Sequence, residues 1–319
     1  MNRAHALPST APPCKRNIFD RLNVLLLILL VLSASPLWAQ TLDDGLLMPK
    51  RAMGTGFLYA HDSWDQYWEG SLKRDNGNIG TLTTQSITWM GGYGVTNRLT
   101  VMAMLPYVWT RASQGVLHSM SGLQDLTMAA KYGLLTTPFT NLGTIHAILV
   151  GAVSIPVSDY TSDFLPLSIG LASRRFSGRF TLNFQAREGW FLNASAAYTW
   201  RAKVNLDRPA YYTDGQLYLS NEVAMSDVFD CTVSAGYRNG RLHIPISVVQ
   251  QYTLGGGDIR RQDMPFVSNR MNFVRVDGLV SYALPANLAI RLGVARVVSG
   301  RNVGQSTTLT GGLLYTFHI

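Results

Sequence analysis

Hydrophobic and polar positions alternate with a period of two along most of the chain after residue 39. Residues 174–187 give the clearest example. Phe176, Gly178, Phe180, Leu182, Phe184 and Ala186 fall on one face, and Arg175, Ser177, Arg179, Thr181, Asn183, Gln185 and Arg187 on the other. Such a period is that of a strand, not a helix. Similar runs recur at 229–238, 274–284, 288–294 and 308–319. A single alternating run also suits a soluble sandwich, whereas its repetition favours a membrane barrel with one face in lipid and one in water.

Turn residues divide these runs. Short connections fall at 95–97, 137–140, 188–189, 239–240 and 285–287, with Asn239-Gly240 the strongest hairpin signal. Longer ones fall at 62–79, 113–121, 158–173, 206–225, 255–270 and 300–304. The two kinds alternate, as they do between the periplasmic turns and outer loops of a transmembrane barrel. The spacing predicts strands at 51–61, 80–94, 98–112, 122–136, 141–157, 174–187, 190–205, 226–238, 241–254, 271–284, 287–299 and 305–318. This is an all-β, up-and-down antiparallel barrel of twelve strands with both ends periplasmic. Gln216-Leu217-Tyr218-Leu219 leaves room for fourteen if it pairs with a further strand.

Composition sharpens this picture. Charged residues make up 14% of the chain, against about 25% in globular proteins. No stretch after residue 39 approaches the ~18 apolar residues of a spanning helix. Only helices and closed barrels satisfy their backbone inside lipid, so a charge-poor chain without such helices points to a barrel. Residues 1–39 read as a cleaved signal peptide: Lys15, Arg16 and Arg21, an apolar run from Val24 to Leu32, and small residues up to Ala39. Residues 40–319 are then the barrel. Without the signal the formal charge is about +5, and no basic run with interleaved aromatics suggests nucleic acid. Cys231 is left alone, so no internal disulfide is expected.

Aromatic residues gather near strand ends. Tyr107, Trp109, Tyr198 and Trp200 suit the headgroup level; Trp64, Tyr67 and Trp68 suit either that level or a mouth. Charges facing lipid are costly at mid-depth. Lys131, Arg175, Arg179, Arg187, Arg238, Arg275 and Arg291 are therefore expected to face the lumen, with Asp125, Asp230 and Asp277. Met102 and Met104 point the same way and offer a greasy path. The arginines allow two readings. They brace the wall through Arg–Asp pairs, Arg275 and Asp277 being close neighbours, or they line a pore and bias it toward anions.

No catalytic constellation emerges. His243 and Ser247 share a face about 13 Å apart along a strand, too far to bond. His118-Ser119 has no nameable partner. His118 with Met120, and Asp159 with Asp163, are thin candidates for metal ligation. The Gly255-Gly256-Gly257 run lacks the ending of a phosphate loop. No cofactor is expected, and the chain is read as a non-enzyme.

Several segments carry a family resemblance. Residues 93–108, from Tyr93-Gly94-Val95-Thr96-Asn97 to Leu105-Pro106-Tyr107-Val108, resemble a hairpin of the transporter family named for the meta pathway of phenol degradation. Ser121-Gly122-Leu123-Gln124-Asp125-Leu126 and Val153-Ser154-Ile155-Pro156-Val157-Ser158 resemble its next two blocks, with Gln124 where Gly is commoner and a usual Gly missing after Pro156. The resemblance is close over 50–160 and looser beyond. It implies an outer-membrane channel or transporter for small solutes, aromatic or hydrophobic by the family's name. The alternating C-terminal segment ending at Phe317 and Ile319 resembles the signal read by barrel-assembly machinery, although Ile319 replaces the usual Phe. The expected partners are outer-membrane lipid, that machinery and a small solute, with the oligomeric state open. A non-conducting structural, adhesion or receptor barrel is the alternative.

Overall fold

The computed structural model describes residues 40–213, 215–260 and 264–319, so the expected signal segment lies outside the described residues. Twelve long strands form one closed wall. They are β1 (Ala52–Trp64), β2 (Leu82–Gly94), β3 (Leu99–Ala112), β4 (Asp125–Phe139), β5 (Gly143–Pro156), β6 (Arg175–Ala186), β7 (Trp190–Arg201), β8 (Val228–Arg238), β9 (Leu242–Thr253), β10 (Asn272–Ala283), β11 (Leu288–Arg301) and β12 (Thr307–His318). Each pairs antiparallel with its chain neighbours, and β1 pairs with β12 to close the ring. The ends meet where the Ile319 amide donates to the Arg51 carbonyl at 3.0 Å. The count is twelve: 206–225 holds only the small hairpin Tyr211–Thr213/Gln216–Tyr218 and part of a second small pairing, outside the wall.

Alternation becomes inside and outside. Along β7, Trp190, Leu192, Ala194, Ala196, Tyr198 and Trp200 are exposed on the outer face, while Phe191, Asn193, Ser195 and Ala197 are buried inside. Phe57, Phe176, Leu292, Leu309 and Leu313 are among the apolar side chains exposed on the same outer face. In a soluble protein such a belt would be a liability; it is what lipid requires. Cys231 shares the outward face with Phe229 and Val233. Tyr107, Tyr198 and Trp200 are exposed near the outer end of the wall, with Trp109 beside Tyr107. Trp64, Tyr67 and Trp68 instead pack at the outer mouth, where Gly300 and Gly304 lie against the indoles.

Two local features depart from simple alternation. Pro106 has no N–H to give, and the ladder opposite it breaks at Gln124, between residues 121–123 and β4. A bulge between Gly133 and Leu135 turns Leu134 and Leu135 both outward. Thr136 then faces His146, which shares the inner face of β5 with Ile148 and Val150.

Candidate functional site

Polar and charged residues on the inner faces meet across the lumen. The Arg175 guanidinium donates to Asp125 at 2.8 Å and to the Ser154 hydroxyl at 3.0 Å. Arg179 donates to Asp230 at 2.6 Å and to Ser195 at 2.8 Å. Arg275 holds Asp277, two residues along its own strand, by two bonds of 2.7 and 2.8 Å. Arg238 donates to the Gln185 side chain and stacks over Phe191, 5.3 Å from its centroid. Arg291 is buried and donates to Ser281 at 3.3 Å. Met102 is buried on the inner face, with Met104 two residues along. Arg187 is different: it lies past the end of β6, exposed in the short turn and off the inner wall. The alternation that placed it inside ends one residue earlier.

Lys131 is fully buried, and all its donors are taken by one segment. Its ammonium reaches the Thr41 carbonyl at 2.8 Å, the Asp44 carbonyl at 3.0 Å and the Asp44 carboxylate at 2.7 Å. Residues 40–50, which no periodicity distinguishes, therefore run inside the barrel. Asn193 donates to the Asp43 carbonyl at 2.8 Å, and the Met48 amide donates to the Thr100 hydroxyl at 2.9 Å. Leu42 and Leu47 pack against Met102, Ala129, Ile148, Val150 and Ala152, so the greasy stripe around Met102 is covered by this segment. Close approach is permitted by glycine: a Cβ on Gly45 would stand 2.2 Å from the Asn183 Cβ, and one on Gly94 1.9 Å from the Pro49 carbonyl oxygen. Burial pushes the Asp44 carboxyl up, but Lys131 and the Thr41 and Leu46 amides outweigh it and hold it below the usual range.

Between the segment and the inner faces of β6–β12 and β1 lies a cavity of about 370 Å³. Asp43, Asp44, Arg238, His243, Arg275 and Arg291 face it, with Phe191, Leu58 and Leu279 as apolar wall. The Nδ1 of His243 and the Oδ1 atoms of Asn183 and Asn193 are buried there without a hydrogen-bond partner. Water or a polar solute would satisfy them.

The outer loops fold across the other mouth. Leu167 is fully buried and its carbonyl accepts the Thr110 hydroxyl at 2.6 Å. Tyr160 donates to Asp125 at 2.6 Å, and burial together with that carboxylate pushes its phenol up. Val204, Leu206, Tyr211, Val223, Met225, Phe266 and Val267 form an apolar cap. Arg208 pairs with Asp163 at 2.7 Å, although burial still leaves that carboxyl raised. Arg301 grips Asp258 and holds its carboxyl down at about 2.

His243 and Ser247 form no nucleophile–base pair, since the Ser247 hydroxyl donates to Ser234 at 2.8 Å. Among the described residues no group of three or more His, Cys, Asp or Glu is arranged to hold a metal, and no helix is long and apolar enough to cross a membrane.

A family model described as putative MetA-pathway of phenol degradation matches residues 76–311. No curated protein matches the chain. Among solved structures, an outer membrane channel from Pseudomonas putida F1 is similar at 15% identity and a TM-score of 0.69, covering 88% of this chain and 100% of its own. The translocator domain of autotransporter NalP from Neisseria meningitidis follows at 8% identity and 0.44, covering 94% and 96%. The ΔS2 mutant of TodX, a monoaromatic hydrocarbon channel of Pseudomonas putida, has 11% identity and 0.42, covering 90% and 96%. The first similarity is one of fold.

Proposed function

The chain belongs to the family described as putative MetA-pathway of phenol degradation, and on that premise we propose that it is an outer-membrane channel for small solutes, aromatic or otherwise hydrophobic. The observation that carries this reading is an enclosed lumen: a closed wall, apolar outside, around a cavity of about 370 Å³ with both polar and apolar lining. That volume lies in the range of small-molecule sites, about 300–1,000 Å³. Phe191, Leu58 and Leu279 would take a ring, and Arg238, His243 and the two asparagines its polar group. The Pseudomonas putida protein of like fold is an outer membrane channel.

In this reading the interior arginines brace the wall, because Arg175, Arg179 and Arg275 each hold an aspartate. Lys131 fastens residues 40–50 across the path, so passage requires that segment to move. The alternating strand β12, with Leu313, Tyr315 and Phe317 outward, would be the part recognised by the barrel-assembly machinery. No step of bond chemistry is assigned, and the chain is read as a carrier of solutes rather than an enzyme.

The test is conductance in a planar bilayer beside phenol flux into vesicles, comparing the chain beginning at residue 40 with one beginning at residue 50. Discrete openings and phenol entry that increase on removing the segment support a channel. Silence from both forms, each folded and inserted, refutes it and favours the structural or receptor barrel acting through its capped loops.

A further inference from the structure

Two cations break the apolar outer face of the wall. Arg111 in β3 and Arg296 in β11 have the outward parity of Tyr107 and Val294, and both are exposed. No ion pair within the described residues involves either of them.

Both lie on a single cross-strand row. Arg296 stands opposite Thr307, Thr307 opposite Ser63, Ser63 opposite Thr83, and Thr83 opposite Arg111. Read around the barrel, five adjacent strands present Arg-Thr-Ser-Thr-Arg to the outside. The Arg296 guanidinium already leans along the row, with Nη1 3.5 Å from the Thr307 hydroxyl. Nearby acids do not neutralise it. Asp62 faces inward and accepts the Thr308 hydroxyl, Glu69 is held by Arg74, and Asp65 lies in the loop beyond.

The height of the row is informative. Ser63 is ten residues beyond Met53, which pairs with Tyr93 and Phe317 at the lower aromatic level. At about 3.3 Å per residue and a tilt near 40°, that rise is roughly 25 Å, the height of a barrel's apolar band. Ser63, at the middle of the row, therefore sits where acyl chains give way to head groups on the outer-loop side. Because the strands tilt, the row climbs by roughly 12 Å from Arg296 to Arg111, so Arg296 has to reach up and Arg111 down to that level. Tyr59, Tyr107 and Trp109 lie below it as a girdle, with centroids 6.4 and 6.1 Å from ring to ring. Arginine is tolerated at this depth and costly lower down.

With strands about 4.8 Å apart, the two arginine Cα atoms are separated by about 19 Å. Hydroxyls fill the interval. A head group with one anion would engage one arginine and leave the other idle; a sugar core with an anion at each end would engage the whole row. Arginine favours phosphate oxygens through its paired N–H donors. We propose that this row binds the head group of one outer-leaflet glycolipid bearing two phosphates on a sugar core, its acyl chains lying down the girdle. The proposal rests on the outer-membrane placement but not on solute passage.

The protein, residues 40–319, is folded into nanodiscs containing a bisphosphorylated diglucosamine lipid, its dephosphorylated form or phosphatidylglycerol. Lipid retained on extraction is counted by native mass spectrometry. The expected result is at least tenfold greater retention of the bisphosphorylated lipid than of the other two. Arg111→Gln/Arg296→Gln should abolish the preference, while Arg187→Gln, in a turn at the opposite rim, keeps it. Equal retention of all three lipids by the unaltered protein would overturn the proposal without involving any variant. So would an undiminished preference in the double variant with heat-modifiable gel mobility, or displacement by millimolar inorganic phosphate, which would make the row a site for soluble anions. Conductance should not change in any arm, so a failure here leaves the channel reading standing.

Discussion

Replacing Lys131 with Met should release residues 40–50 from the lumen. The ammonium is fully buried and makes three hydrogen bonds, all to Thr41 and Asp44. Methionine fills much of the same volume but leaves the Asp44 carboxylate buried without its counter-charge. Removing one partner of a buried pair costs about 3–5 kcal/mol. At about 1.4 kcal/mol per tenfold, that shifts the equilibrium toward release by roughly a hundred to a few thousand. Asp44 retains 14% exposure beside the cavity, so water recovers part of the loss and the lower figure is the working one. The remaining ties are the Asn193 and Thr100 hydrogen bonds and the packing of Leu42 and Leu47. The assay is single-channel open probability, with heat-modifiable gel mobility as the check on folding. Lys131→Met should open about a hundredfold more often. Adding Asp44→Asn should recover part of the closed state, because the stranded charge is gone. A folded Lys131→Met protein with an open probability within threefold of the parent would refute the reasoning.

Gly45→Ala should act on the same segment without touching charge, since its methyl would stand 2.2 Å from the Asn183 Cβ; more frequent opening at an unchanged barrel melting temperature is expected. Asp230→Asn leaves Arg179 uncompensated, which should lower the melting temperature and move the reversal potential toward anions under a salt gradient. The Asp258–Arg301 latch has a carboxyl held near 2, against 3.8 for the ordinary group. Its contribution is therefore full above about pH 4 and fades as pH falls toward 2, so protease cleavage in loop 254–271 should rise only in that window. Cys231 faces outward, and in membranes it should react with a lipid-soluble maleimide much faster than with a charged thiol reagent.

The wall was legible because lipid and water impose opposite demands on alternate residues, and a run such as 174–187 records both. The number of strands followed from the alternation of short and long connections. Within the long connection 206–225, Gln216-Leu217-Tyr218-Leu219 left room for a further strand because Leu217 and Tyr218 suit a sheet, but in the fold residues 216–218 pair with Tyr211–Thr213 as a small hairpin in the outer loops. The shift at Leu135 was invisible, since a bulge adds one residue without changing residue types. Arg187 was misplaced by extending a good pattern one step past its end. The segment at 40–50 was missed altogether. Lys131 and Asp44 are 87 residues apart, and periodicity describes which face a residue occupies, not what meets it across the lumen. The acid pair Asp43-Asp44 ahead of an apolar stretch was the available signal. The row from Arg111 to Arg296 needs the register of five strands at once.

The pairing of β1 with β12 also bears on the order in which the molecule is built. Every other joint in the wall is a hairpin or a neighbouring-strand contact, such as the bond linking Asn183 and Leu192 over nine residues. At the seam, Thr308 reaches Asp62 across 246 residues. The logarithmic cost of closing a loop makes that joint about 3 kcal/mol dearer in chain entropy than a tight hairpin. Zipping thus proceeds from strand to strand and the seam closes last. Since residues 40–50 are continuous with the first strand, they must already be gathered to the inside when that final edge is sewn, or thread in afterwards through the short-turn rim. A chain permuted to place its ends at Asn239-Gly240 would close along β8–β9 instead, and would separate those two histories.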